Sequence, residues 1–312
     1  MGYKTEGLIE QHIHGAFGVD FTNCSVDDLL YASNELAKCG ITYFFPTLIT
    51  NDISLIKSQI KNIKIAMLKQ KFGMAEIAGI HLEGPFINPE KKGVHKEEFI
   101  LPLKAKLFDE IYDDTIKIMT VAPELDDEEQ SFCRYVKSRG IKLSAGHTLA
   151  TDISQMSQLT HIFNGMEDFN HKRTTTPTEG FMKKNCFIEL IADSVHVTDD
   201  LMRIVFTPNV FDRTLLISDA LPLAHSDKEK MSFAGNTIVK ASDRILNETG
   251  TLAGSALLLN DIIKNVSDKK IFGFNEAINM ASYNQSRYHR LPNNAVVYWD
   301  DEYNVEKVNF IQ

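Results

Sequence analysis

A chain of 312 residues, 43% hydrophobic and 24% charged, can form one large domain or two ordinary ones, and its composition is that of a packed globular protein. Its net charge of −9 repels a phosphate backbone and argues against nucleic-acid binding, while a small phosphorylated metabolite held by local cations stays open. No apolar run reaches the roughly 18 residues that cross a bilayer, and the opening MGYKTEGLIEQ has no signal-peptide core, so a soluble cytoplasmic protein without membrane contact is expected.

Gly7 to His14 reads as a first strand. Ser25 starts a helix towards Lys38, with Asp27 and Asp28 favourable in its first turn. Ile41 to Leu48 is a second strand, rich in β-branched and aromatic residues, and a long helix follows over Ile53 to Gln70. Glu76 to Leu82 and Lys117 to Val121 are strands three and four. A helix over Asp127 to Ser138, ended by Gly140, precedes strand five at Ile141 to Ala145. A short helix near Asp152 leads to strand six at Leu159 to Phe163, and Phe187 to Ala192 is strand seven. Thr198 caps a helix over Asp199 to Phe206, and Thr214 to Ser218 is strand eight.

Such alternation of buried strands with helices predicts a parallel sheet, and eight units fit a closed TIM (β/α)8 barrel. An open doubly-wound sheet is the weaker alternative, because no glycine-rich dinucleotide fingerprint follows the first strand. Leu257 to Val266 and Glu276 to Arg287 read as trailing helices. The tail AVVYWDDEYNVEKVNFI reads as a β-hairpin. The division is thus a barrel with trailing helices over 7–291 and a hairpin over 292–312. Cys24, Cys39, Cys133 and Cys186 are scattered without a CxxC pair, which fits a reducing compartment and neither a zinc knuckle nor a disulfide framework.

Polar residues recur where the inferred strands end, the place where such barrels carry their chemistry. His12 and His14 close strand one, two residues apart and so on one face. Glu83 closes strand three in HLEGP, His147 closes strand five in SAGHT, and His161 lies on strand six in THIFN. His196 follows strand seven and Asp219 closes strand eight. Singly, a strand-end histidine serves packing more often than coordination. The recurrence around one barrel carries the inference, since each buried polar group is costly unless used. Imidazoles with hard carboxylates suit a divalent zinc- or iron-type ion.

The segments GLIEQHIHGAFGVDF, GIHLEGPFINPEKKGVH, SAGHT, THIFNGM, IADSVHV, SDA and GTLAGSALLL resemble the N-acetylglucosamine-6-phosphate deacetylase family of the amidohydrolase superfamily, over Gly7 to about Leu291. The resemblance implies a TIM barrel with a small β-sandwich, and removal of acetate from N-acetylglucosamine 6-phosphate. It implies a principal metal site of Glu83, His147 and His161. His12 and His14 match a first-strand metal pair that some members replace, so one or two ions, Zn or Fe, are implied per subunit. Asp219 matches the catalytic acid/base, and His95 a group that helps stabilise the oxyanion. Val94, Asn164, Gly165 and Asp193 match substrate-contacting positions, and Leu252, Ala253 and Gly254 a loop over the sugar. His196 resembles a phosphate contact that the family can draw from a neighbouring subunit, which implies a homodimer.

Two departures stand out. The family carries an Arg in its phosphate loop where this chain has NHKRTTTPTEG, so Lys172 or Arg173 takes that place. The family also has about fifty residues before the His-x-His strand, the scale of a small domain. Here only a few precede it, which implies a reduced or truncated sandwich and a hairpin that must pack on the barrel or pair with another strand. The alternatives are a deacetylase of N-acetylgalactosamine 6-phosphate or an unphosphorylated amino sugar, or an inactive sugar-phosphate-binding homologue.

Overall fold

The computed structural model describes residues 2–311. Its centre is a ring of parallel strands: β1 (Leu8–Ile13), β2 (Ile41–Ile49), β3 (Ile80–Glu83), β4 (Ile116–Val121), β5 (Lys142–Ala145), β6 (Gln158–Leu159), β7 (Phe187–Ile191) and β8 (Thr214–Ile217). Each pairs with its sequence neighbour, and a parallel bridge between Ile13 and Ala220 joins the last to the first. The Asp219 amide also donates to the His12 carbonyl at 3.0 Å across that seam. Nearly every strand residue is buried, because helices cover the outer face and side chains fill the interior. This is the predicted TIM-type barrel.

Local chemistry sets the element ends. The helix Val26–Lys38 begins with a reciprocal capping box of Ser25 and Asp28. The predicted Asp127–Ser138 helix starts only at Ser131: Asp126 accepts the amides of Phe132 and Cys133, and Asp127 that of Ser131, so these carboxylates lie before the first turn instead of inside it. The short helix expected near Asp152 is a turn. The third predicted strand is two pieces, Glu76–Ile77 and Ile80–Glu83. The trailing Glu276–Arg287 helix is likewise two, Phe274–Ala281 and Tyr283–His289, broken at Ser282, whose hydroxyl donates to the Gly7 carbonyl.

After β8 the chain forms a four-stranded antiparallel sheet that the sequence reading missed: Lys230–Phe233, Asn236–Ala241, Arg244–Asn247 and Leu252–Ser255. Its first hairpin turns on Ala234-Gly235, both at positive φ as a type I′ turn requires. The last strand is hydrogen-bonded beside Asp219 through Ser255. Leu252, Ala253 and Gly254, expected as a loop, are therefore strand residues. Gly254 has a steric cause: a Cβ there would lie 3.0 Å from the Asp219 carbonyl and 2.7 Å from Leu221.

The C-terminal hairpin, Ala295–Trp299 with Val305–Phe310, gains a third strand from the residues before the barrel, Tyr3–Glu6. Trp299 is buried against Phe274, and its indole N–H donates to Thr5. Both remedies for a lone hairpin, pairing and packing, are thus used. Trp299→Ala is expected to cost about 3–5 kcal/mol, as for other buried Trp truncations, read as a lowered urea midpoint. A change below ~1 kcal/mol would show that this small sheet is not coupled to barrel stability.

Candidate active site

Glu83, the last residue of β3, lies between two sets of ligand atoms. Its Oε1 is 2.9 Å from His161 Nε2 and 3.3 Å from His147 Nε2, and those two nitrogens are 3.2 Å apart. Its Oε2 is 3.1 Å from His14 Nε2. Asp219 Oδ1 faces it from just beyond the end of β8, 3.4 Å from both His12 Nε2 and His14 Nε2. Ligands about 2.0–2.2 Å from a common ion stand roughly 3 Å apart, which is the spacing of Glu83, His147 and His161.

Hydrogen bonding fixes which way the rings are protonated. His147 Nδ1 lies 2.7 Å from the Lys91 carbonyl, which can only accept, so Nδ1 carries the proton. The neutral ring then aims its Nε2 lone pair at a carboxylate oxygen and at another imidazole nitrogen, an arrangement that is repulsive without a shared cation. His12 repeats the pattern. Its Nδ1 faces Glu189 Oε2 at 3.0 Å, and its buried Nε2 has no hydrogen-bond partner. The donor set therefore fits a divalent ion at Glu83, His147 and His161, and a second beside His12, His14 and Asp219.

Charge leads to the same reading. Glu83, Asp219 and Glu189 are buried, and among the described residues no Lys or Arg lines the cavity that Glu83 and Asp219 border. Burial pushes the Asp219 carboxyl up, but His12 and His14 outweigh burial and hold it down at about 2. Burial likewise lowers His14, yet Glu83 and Asp219 carry it to about 9. The cluster thus demands positive charge, as protons on these rings or as a cation that displaces them. His95 differs: burial and nearby His147 push it down to about 4, so it is neutral at pH 7.

Backbone strain marks the same residues. His147, His161 and Asp219 have φ of 48°, 25° and 50°, sparsely populated values for non-glycine residues. This is why β6 stops at Leu159 and His161 lies beyond the strand that was expected to hold it. Gly165 is required there too: its φ is +61°, and a Cβ would come within 2.8 Å of His147 Nδ1.

The cavity encloses about 160 Å³, and its walls include Val94, Asn164, Gly165, His196, Leu252 and Ala253 as expected. Gly254 and Asp193 support it from behind. Asp193 accepts from His196 Nδ1 at 2.7 Å and from the His196 amide. His196 lines the cavity of its own chain. Lys172 and Arg173 lie outside the lining, on an exposed loop where Arg173 makes two hydrogen bonds to Glu167, at 2.6 and 2.7 Å. Asn164 gives its amide protons to the carbonyls of His161 and Ile162.

The sequence reading missed Phe233, which reaches the cavity from the unexpected sheet and meets His14 edge-on, and Thr50, whose hydroxyl is 2.8 Å from His95 Nδ1. It also passed over Glu189, although a carboxylate inside the apolar FIELI strand was a visible signal. The third ligand-like group, His12, His81 and Glu189, is a hydrogen-bonded floor: both His81 nitrogens already have partners in the Gln11 carbonyl and Thr120.

No protein-family model matches the chain. The N-acetylglucosamine-6-phosphate deacetylase of Bacillus subtilis (strain 168) is 29% identical over 293 residues, spanning 90% of this chain and 74% of that protein. The N-acetylgalactosamine-6-phosphate deacetylase of Escherichia coli O157:H7 is 28% identical over 290 residues, spanning 89% and 76%. Among solved structures, the N-acetylglucosamine-6-phosphate deacetylase of Thermotoga maritima superposes with a TM-score of 0.89 at 27% identity, over 99% of this chain and 87% of that one. On the shared barrel and on similarity along almost its whole length, the chain is similar to the N-acetylglucosamine-6-phosphate deacetylases of the amidohydrolase family.

Proposed function

We propose that the chain is a metal-dependent hydrolase that removes acetate from N-acetylglucosamine 6-phosphate. The observation that carries this reading is the His147 lone pair aimed at Glu83 with His161 alongside, next to a cavity edged by Asp219. Glu83, His147 and His161 hold the principal ion, Zn or Fe, and His12 and His14 with Glu83 the second. A bound divalent ion supplies Lewis-acid chemistry, acidifying water and polarising a carbonyl oxygen. Asp219 takes a proton from the attacking water as its oxygen bonds to the acetyl carbon. It returns that proton to the amide nitrogen as the C–N bond breaks, leaving acetate and the free amine. His95, with Thr50 giving its hydroxyl proton to Nδ1, presents Nε2–H to the developing oxyanion. Asn164, Gly165, Val94 and His196 orient the sugar.

The second reading, a related amino sugar, is favoured by one feature: among the described residues the cavity lining holds no Lys or Arg for a phosphate. A panel of phosphorylated and unphosphorylated N-acetyl amino sugars, followed by acetate release, decides between them. N-Acetylglucosamine 6-phosphate is expected to have the highest kcat/KM, and a preference for an unphosphorylated or galacto sugar would overturn the first reading. Because Glu167 already occupies Arg173, Arg173→Ala is expected to change kcat/KM by no more than about fivefold, the equivalent of ~1 kcal/mol. A loss beyond about a hundredfold would instead place Arg173 on the phosphate.

A homodimer in the cytoplasm completes the proposal. It is supported by the resemblance of IADSVHV and by four free cysteines. Light scattering that shows a fully active monomer would remove the dimer. Among the described residues no helix is long and apolar enough to cross a membrane.

A further inference from the structure

Below the two ligand sets, the barrel interior is polar. Glu189 projects from β7 and meets four donors: His12 Nδ1 at 3.0 Å, the His161 amide at 3.1 Å, Gln158 Nε2 at 2.9 Å and Gln11 Nε2 at 2.5 Å. Every one is an N–H, and the carboxylate is fully buried, so it sits there as an acceptor on both oxygens. Gln11 cannot turn its amide around freely, because its Oε1 faces His289 Nε2 at 2.6 Å. One carboxylate thus ties a side chain of the second ligand set, His12, to the backbone of a residue of the principal set, His161.

We propose that Glu189 is the positioning residue of this site: it holds the proton of His12 on Nδ1, keeps the Nε2 lone pair turned towards Glu83 and Asp219, and fixes the strained backbone of His161 in the same act. The proposal rests on the metal reading above for its consequence but not for its geometry. A neutral amide at position 189 accepts from His12 and the His161 amide only by turning its NH2 onto the two glutamine NH2 groups. Gln11 then either keeps that clash or gives up His289. An isosteric substitution therefore disturbs His12 without opening a cavity. Outer partners of ligating histidines set their tautomer and ligand strength, typically worth 10–100-fold in metal affinity.

The test uses the purified full-length protein labelled with 15N-histidine, the His12 resonances being identified with His12→Asn. In the wild type, at a pH where the ring is neutral, His12 is expected as a single tautomer protonated on Nδ1. In Glu189→Gln that tautomer is expected to give way to a mixture. Zinc titrations against a competing chelator are expected to show the weaker site loosened by about 10–100-fold, with the Glu83–His147–His161 site retained. Glu189→Asp, which keeps the charge but shortens the reach, is expected to preserve the tautomer better than the amide. A purely structural role would lower the melting temperature and leave tautomer and site-specific affinity unchanged, and that result overturns the proposal. If Glu189→Gln does not fold, the wild-type spectrum still decides, since a neutral His12 that carries its proton on Nε2 and not on Nδ1 contradicts the assignment. Failure of the metal reading is separate: it appears as a wild type that takes up no zinc, whatever the tautomer.

Discussion

Asp219→Asn is expected to lower acetate release by about 100-fold to 10,000-fold, the usual scale of general acid–base catalysis, while bound metal stays in place. The position of the side chain is set by the backbone. The Asp219 amide donates to the His12 carbonyl, and its carbonyl accepts from Ser255, so β1 and the added sheet grip the residue from both sides at φ 50°. Asparagine tolerates that left-handed conformation and has the same shape, so the cavity is preserved. The amide cannot take a proton from water, nor return one to the leaving amine. Metal content and steady-state acetate release from one preparation separate the outcomes. Unchanged turnover would remove Asp219 from the mechanism. Lost metal would make it a ligand instead, and His95 would be the next proton carrier to test.

His147→Ala is expected to have the other large effect, because it removes a ligand and its support together. The ring bridges the Lys91 carbonyl and Glu83, and its edge packs against the rings of His95 and His161. Without it, Glu83 keeps only one imidazole of the principal set, and a three-ligand site becomes a two-ligand one. Metal retained after dialysis should fall to a small fraction of the wild-type content, with acetate release down by at least about 100-fold. A melting curve checks that the barrel remains folded. Full metal occupancy with normal turnover would show that the ion is held elsewhere.

The barrel was legible because its signals are local and repeated: a buried apolar strand recurs eight times, in most cases followed by a helix, and no single misread boundary disturbs the ring. The ligands were legible for a related reason. A strand's direction and end are visible in sequence, so the candidate ligands His12, His14, Glu83 and His147, and the candidate acid/base Asp219, could be placed at one mouth of the barrel before their distances were known. His161 was placed at the right mouth but inside a strand, because a positive φ in a histidine leaves no mark in the pattern of residues. Lys172 or Arg173 read as a phosphate ligand because sequence shows a cation but not its partner, which for Arg173 is Glu167. The antiparallel sheet that brings Phe233 and Ala253 to the cavity did carry a signal in the alternation of MSFAGNTIVKA around Ala234-Gly235, and it was overlooked. The strand Tyr3–Glu6 was harder, since it pairs with residues almost three hundred positions away and nothing local announces that partner.

The most direct test of the central claim is metal analysis of the purified protein together with acetate release from N-acetylglucosamine 6-phosphate, repeated after chelation and after metal is restored. At least one divalent ion per chain is expected, with acetate release lost on chelation and regained with zinc or iron(II). Undiminished acetate release from metal-stripped protein, or a fully loaded protein that releases no acetate from this sugar phosphate, would contradict the account.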